Sequence, residues 1–296
     1  MRVFLTGATG YVGRQILLDL IDAGHHPVAL VRPGSASKLP INPEAITVAE
    51  GDGLKPDTFR NTLVGCDAII HLVGIIREFP QKGITYRKSH VEFTRNLVNA
   101  ATDAGISRFI HMSALGAKHD TSSGYFSTKA EAEEILRSSE LDYTIFKPSI
   151  IFGPDDDFIN YFAGMMRTFH VIPIIGAGRY RMQPISLYDV GQIFVRALAT
   201  PETIGKTYEL AGPDRYAYTE MMKKVRDIAG ILAIPVHIPK ILMSGMATLF
   251  QYLPFFPVTK AQIVMLYDEN ISDDTRVFEL FDFQPTPFEQ GISQYL

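Results

Sequence analysis

The stretch VFLTGATGYVG, residues 3–13, decides the fold. Val3, Phe4 and Leu5 form a short apolar run that stops at Thr6, and three glycines then fall at Gly7, Gly10 and Gly13. Beyond them Val12, Ile16, Leu17, Leu20 and Ile21 recur at three- and four-residue intervals, with Gly24 as a stop signal. The pattern predicts strand, glycine turn and helix, followed by a second strand over His26–Val31. One glycine makes the tight turn, one lets the backbone approach a pyrophosphate, and one lets the helix pack closely on the strand. The helix start then offers unpaired N–H groups and the positive end of its dipole to the phosphates. The Gly-x-x-Gly-x-x-Gly spacing departs from the commoner Gly-x-Gly-x-x-Gly, so its meaning rests on the strand before it and the helix after it.

The second strand ends in Val31-Arg32-Pro33-Gly34-Ser35, with no carboxylate to accept the ribose hydroxyls of NAD(H). A guanidinium forks onto a phosphate and stacks on adenine, so Arg32 favours NADP(H) over NAD(H), unless it is only a solvated loop residue. A third strand over 46–49 leads into Glu50-Gly51-Asp52-Gly53-Leu54, where Asp52 is either an adenine acceptor or an ordinary turn former. The apolar run 68–73, broken by His71, suits a strand buried on both faces, and Gly74 at its end lets a cofactor lie against the backbone. A helix carrying Val91, Thr94, Leu97, Val98 and Ala101 on one side and a strand over 108–113 continue the alternation. The fold class that follows is α/β, a doubly wound Rossmann parallel sheet with a smaller C-terminal domain.

Tyr125 and Lys129 stand four apart at the head of a helix-forming stretch, and Ser113 ends the preceding strand. Hydride transfer at a carbonyl carbon needs a proton to move on the oxygen. A phenol with an ordinary pKa of about 10 must be lowered to supply it near neutrality. A neighbouring ammonium does this, and a serine hydroxyl holds the substrate oxygen. Tyr125, Lys129 and Ser113 are the catalytic candidates.

Together TGATGYVG (6–13), HLVG (71–74), HMSA (111–114), YFSTK (125–129) and KPSIIFGPDDDF (147–158) resemble the short-chain dehydrogenase/reductases, in their extended or atypical branch. FGPDDDFINYFA (152–163), PIIGAGRYRMQPISLYDV (173–190) and YELAGPD (208–214) are similar to bacterial relatives of the nucleotide-binding accessory subunit of mitochondrial complex I. The resemblance implies a pyrophosphate held by Gly7, Thr9, Gly10, Tyr11, Val12 and Gly13, with Arg32 at the 2′-phosphate and Asp52 with Leu54 at the adenine. It implies further that Leu72, Val73 and Gly74 line the ribose and nicotinamide, with Lys129 and the Pro148–Ile151 stretch completing the site. Two positions depart from that branch: His90 replaces an asparagine, and Lys147 an arginine before the strand's proline. His90 either replaces the amide in a proton relay at the substrate or caps the helix.

The expected division is a nucleotide domain over 1–152, with 184–202 packing back on it, and a substrate domain over most of 153–296. A helix over 158–168 and a strand over 171–175 are expected there, a helix over 186–199 is expected to return onto the nucleotide domain, and Arg181 is a candidate for an anionic substrate. Asp155-Asp156-Asp157 suits a helix start better than a metal site. Between Lys240 and Lys260 lie nineteen residues without a formal charge; Pro254 and Pro257 break the run as a membrane span. A buried helix is the favoured reading, against a lid over an apolar pocket or an interfacial segment.

At 296 residues, 46% hydrophobic and 20% charged, the chain has the makeup of a globular protein that buries a substantial core. A net charge of −4 with no dense basic block disfavours nucleic acid as a partner. The single cysteine, Cys66, and the absence of HExxH spacing leave no expected metal and fit a reducing compartment. No leader pattern opens the sequence, so the expected location is cytoplasmic, with room for peripheral attachment to a membrane or respiratory complex. Three functions are open: an NADP(H)-dependent oxidoreductase acting on a carbonyl or hydroxyl, favoured; a non-catalytic NADPH-holding accessory or sensing subunit linked to respiratory or quinone machinery; and, less supported, a sugar-nucleotide epimerase or dehydratase.

Overall fold

The structure is a computed structural model that describes residues 1–42, 45–250 and 259–296. The chain forms two compact units, one of residues 1–147 with 190–208 and one of 148–189 with 209–296.

The first unit is built on a seven-stranded sheet. Its strands are β1 (Arg2–Thr6), β2 (His26–Val31), β3 (Thr47–Glu50), β4 (Ala68–His71), β5 (Arg108–Met112), β6 (Asp142–Pro148) and, late in the chain, Lys206–Leu210. The sheet order runs from that late strand through β6, β5, β4, β1 and β2 to β3. Pairing is parallel from β6 across to β3, with Leu5 opposite both Ala29 and Ile70. Successive strands step outward from β1 in one direction and from β4 in the other. The carboxyl ends of β1 and β4 therefore flank the crevice in which doubly wound sheets bind ligands. Val3, Phe4, Leu5, Ile69 and Ile70 are fully buried, as a strand covered on both faces requires. Helices α1 (Tyr11–Asp22), α2 (Phe93–Asp103) and α3 (Gly124–Arg137) follow β1, β4 and β5. Gly24 ends α1 at φ +75°, the left-handed conformation expected after a helix C-terminus.

Two boundaries differ from the sequence reading. The strand expected to reach Val73 ends at His71, where the Leu72 amide is shared between the carbonyl and the hydroxyl of Thr6. The helix expected from Val91 starts earlier, as a π-helical stretch over Arg87–Glu92 that runs into α2. Such wide turns recur at functional sites.

In the second unit β7 (Ile151–Phe152) precedes α4 (Ile159–Phe169) and β8 (Val171–Ile175). Asp156 opens α4 as expected, its carboxylate accepting from the amides of Phe158, Ile159 and Asn160. Two short strands, β9 (Arg181–Met182) and β10 (Ile185–Ser186), lead to α5 (Leu187–Leu198), after which the late sheet strand becomes β11 (Lys206–Leu210). The unit closes with β12 (Tyr216–Ala217), α6 (Tyr218–Ile228), β13 (Ile234–Ile238), α7 (Lys240–Phe250), α8 (Lys260–Tyr267), α9 (Arg276–Leu280) and α10 (Phe288–Ile292). Its core gathers Phe152, Ile159, Met166, Met221 and Phe288. Of the uncharged segment expected to form a buried helix, the described part of α7 buries Met243 and Ala247 but leaves Ile241 88% and Leu242 55% exposed. Residues 251–258, with both prolines of that reading, lie outside the described residues. Among the described residues no helix is long and apolar enough to cross a membrane.

Candidate nucleotide site

The turn after β1 is built as the glycine spacing predicts. Gly7 adopts φ +82°, and the Gly10 amide donates to its carbonyl at 2.9 Å. A Cβ on Gly13 would lie 2.0 Å from that same carbonyl oxygen, so the helix can sit this close to the turn only with a glycine there. Gly10 caps α1 without a side chain, and the first turn holds no acidic residue. With no side chain at the N-cap and no acid in the first turn, the start of α1 keeps the positive end of its dipole, which suits an anion. Thr9 lies half-buried in the turn, and Tyr11 and Val12 open the helix. This cradle fits a pyrophosphate.

Arg32 is exposed immediately beyond β2. The Gly34 amide in the same turn donates to Glu50 Oε1 at 3.2 Å, so Glu50 shapes the loop that carries the guanidinium. The sequence reading passed over Glu50, since its alignment opposite Val31 depends on the β2–β3 register. Asp52 accepts from the Leu54 amide at 3.0 Å and therefore works as a turn former, with Leu54 exposed beside it. Leu72 is buried, Val73 half-buried and Gly74 exposed at the carboxyl end of β4. A Cβ on Gly74 would lie 2.9 Å from Lys129 Nζ and 3.6 Å from His90 Nε2, so this backbone lies against both side chains. Pro148, the last residue of β6, and Ile151, the first of β7, belong to the second unit.

Tyr125 and Lys129 lie one turn apart on α3, as expected, yet their surroundings differ from those of a lowered phenol. The Tyr125 ring packs edge-on against Tyr86, His90 and Phe126 and is only 9% exposed. Burial, with Tyr86 adding to it, holds the phenol above its ordinary range. Lys129 Nζ donates to the Met112 carbonyl at 2.9 Å, and burial brings its pKa down to about 8 against the upward pull of Glu133. The expected pairing of phenolate and ammonium is not formed here. The Ser113 hydroxyl is likewise engaged away from any substrate position, donating to the Glu133 carboxylate. Glu133 also takes Arg137 at 2.7 Å and stands 3.6 Å from Lys147 Nζ. That buried anion went unnoticed because a glutamate in a run of good helix formers looks like solvated surface. Lys147 donates to the Ala117 carbonyl at 3.1 Å.

His90 neither caps a helix nor stands at an open substrate site. It is buried in the π-helical stretch, accepting from the Ile75 amide at 3.1 Å through Nε2 and meeting Thr128 Oγ1 at 2.8 Å through Nδ1. Burial, reinforced by Lys129, lowers its pKa to about 2, so it is neutral near pH 7. Arg181, expected at an anionic substrate, is forked onto Glu269 with contacts of 2.8 and 2.6 Å.

A doubly wound sheet with a glycine turn leading into a helix start at the carboxyl end of its first strand defines an NAD(P)-binding Rossmann protein. The chain belongs to the NAD(P)H-binding family, which matches residues 7–201. It is 30% identical over 290 residues to the mitochondrial NADH dehydrogenase (ubiquinone) 1 alpha subcomplex subunit 9 of Mus musculus, covering 96% of this chain and 76% of that one. It is 28% identical to the photosystem II assembly factor Ycf39 of Guillardia theta, over 100% of this chain and 94% of the relative. The crystal structure of dTDP-glucose 4,6-dehydratase from Streptomyces venezuelae superposes with a TM-score of 0.78 at 18% identity, over 99% of this chain and 95% of that one, a likeness of fold.

Proposed function

We propose that this protein holds NADP(H) as a resident nucleotide in an accessory or assembly role, in association with a respiratory-type complex. The observation that carries this reading is the state of the three catalytic candidates. Ser113 is bound to Glu133, the Tyr125 phenol is held high by burial, and Lys129 is turned to the Met112 carbonyl. A bound nicotinamide supplies a hydride donor or acceptor, but a phenol held this high stays protonated near pH 7 and takes no proton from a substrate hydroxyl, while the Ser113 hydroxyl is committed to Glu133. The names of the Mus musculus and Guillardia theta relatives, a complex subunit and an assembly factor, support the same role. The outward Ile241 and Leu242 of α7 suit peripheral attachment. Purified protein carrying NADPH should show no oxidation of it across a panel of aldehydes, ketones and quinones, and Tyr125→Phe should bind NADPH as the parent does. Turnover that disappears in Tyr125→Phe would instead establish the oxidoreductase reading. That reading draws its support from the one-turn spacing of Tyr125 and Lys129 and from a lysine pKa of about 8. An epimerase or dehydratase reading has the fold likeness alone, and a melting temperature unmoved by UDP-sugars disposes of it.

The preference for NADP(H) rests on Arg32, an exposed guanidinium immediately beyond β2, the place in this fold from which an arginine can reach a 2′-phosphate. Arg32→Glu should lower the ratio of NADPH to NADH affinity by about tenfold or more, the scale of one charge-assisted phosphate contact. An unchanged ratio in a calorimetric titration removes the assignment.

A further inference from the structure

Between the glycine turn and α3 runs a line of hydrogen bonds, buried from Thr6 to the His90 carbonyl and opening towards the surface at Thr128, whose donors and acceptors can be assigned from the structure. Thr6, the residue before Gly7, places Oγ1 2.6 Å from His71 Nδ1, and the Leu72 amide donates to the same oxygen at 3.3 Å. His71 Nε2 lies 3.1 Å from Thr94 Oγ1, and that hydroxyl donates to the His90 carbonyl. His90 Nδ1 reaches Thr128 Oγ1, which donates to the Gly124 carbonyl at 2.7 Å. The Thr94 proton is spent on a carbonyl, so Thr94 accepts from His71 Nε2–H, and His71 Nδ1 accepts from Thr6. Ile75 N–H occupies His90 Nε2, so the His90 proton resides on Nδ1 and goes to Thr128. Each link has one direction, and each histidine has one neutral tautomer. The line is not a proton wire, because it passes through the His90 carbonyl and ends at the Gly124 carbonyl, neither of which carries a proton to hand on.

We propose that His71, Thr94, His90 and Thr128 are positioning residues that fix the start of α3, and with it Lys129, against the glycine turn, so that nucleotide affinity depends on this hydrogen-bond line. The inference rests on the nucleotide-holding reading and adds residues to it. Thr6 adjoins the turn that cradles the pyrophosphate, and Thr128 adjoins Lys129. Lys129 Nζ and His90 Nε2 both stand over Gly74, on the opposite wall of the same crevice. All the elements that the line joins, β1, β4, the π-helical stretch with α2, and α3, lie in the first unit. Thr6, His71 and Thr94 are wholly buried, so no water replaces a missing partner.

The test compares Thr94→Val, which keeps the shape and removes the hydroxyl, with Thr94→Ser, which keeps the hydroxyl. NADPH affinity is titrated well below the melting temperature, where loss of stability alone leaves the dissociation constant unmoved. Thr94→Val should weaken NADPH by about tenfold, and Thr94→Ser should bind within about threefold of the parent, given the cost of an unpartnered buried imidazole N–H. Nitrogen-15 spectra of the parent protein should show His90 protonated on Nδ1 and His71 on Nε2 at pH 7, an observation that stands even if Thr94→Val does not fold. Equal affinity in Thr94→Val, a loss in Thr94→Ser as large as in Thr94→Val, or either histidine in the other tautomer overturns the inference. A parent protein that binds no NADPH overturns the nucleotide-holding reading instead, and the tautomers remain a separate reading of the line.

Discussion

Gly13→Ala is expected to weaken NADPH binding by about a hundredfold and to lower the melting temperature of the protein. The added Cβ would meet the Gly7 carbonyl oxygen at 2.0 Å, and what must yield there is main chain on both sides. Overpacking costs of about 1–3 kcal/mol are usual where side chains can give way. At this point α1 must move off the turn, and the Gly7 carbonyl must abandon the bond it accepts from Gly10 at 2.9 Å. Because about 1.4 kcal/mol corresponds to tenfold, the full overpacking cost reaches the hundredfold range in affinity. Gly164→Ala is the matching control. It lies in α4 with open space around it, and alanine there should leave binding unchanged while favouring the helix by about 1 kcal/mol. Calorimetric titration with NADPH and a thermal scan of both variants check the pair. Parental affinity in Gly13→Ala would mean that the nucleotide does not use this turn.

The second large effect is acid destabilisation. His71, His90 and His111 are all buried, and His71 stacks on His111 with ring centroids 5.3 Å apart. Burial first, then neighbouring cations, lowers the pKa of His71 to about 3 and of His90 to about 2, and takes His111 well below its ordinary value. A group whose folded pKa is depressed is neutral in the fold while the unfolded chain takes up a proton near pH 6.5. The unfolded state therefore gains as the pH falls through that value. One pH unit below it, each histidine removes about 1.4 kcal/mol, and the three together about 4 kcal/mol. Asp19, Asp156 and Asp189 have raised pKa values, chiefly from burial, and act in the opposite sense. Urea unfolding at pH 8 and pH 5.5 should show the loss, and a stability that stays level or rises over that interval contradicts it. His111 isolates the effect, because neither of its ring nitrogens has a hydrogen-bond partner among the described residues. His111→Leu removes a polar group that gains nothing from the fold, so it should raise or preserve stability at pH 8 and remove about a third of the acid loss.

The parts of the molecule that are legible in the sequence are those fixed by local chemistry. Gly7, Gly10 and Gly13 announce the turn because only glycine fits a left-handed residue and a backbone collision, and both constraints act within seven residues. Strands such as His26–Val31 are visible because burial on both faces demands an unbroken apolar run. The catalytic surroundings are not legible, because they depend on residues far apart in the chain. Ser113 and Glu133 are twenty positions apart, and nothing in either neighbourhood shows that a carboxylate turns inward to take the serine hydroxyl. His90 has the same character: its environment comes from Ile75 and Thr128 on two other segments, so local pattern leaves its role open. Arg181 looks available for a substrate because Glu269 is 88 residues further on. The exposure of Ile241 and Leu242 is hidden for a different reason, since an apolar helix has the same sequence whether it faces a core or another surface.

Protein purified without added nucleotide, denatured and analysed by mass spectrometry for what it releases, tests the account most directly. Near-stoichiometric NADP(H) is the predicted result, accompanied by its loss in Gly13→Ala. Release of no pyridine nucleotide, together with no heat on titrating the same protein with NADPH or NADH, would contradict it.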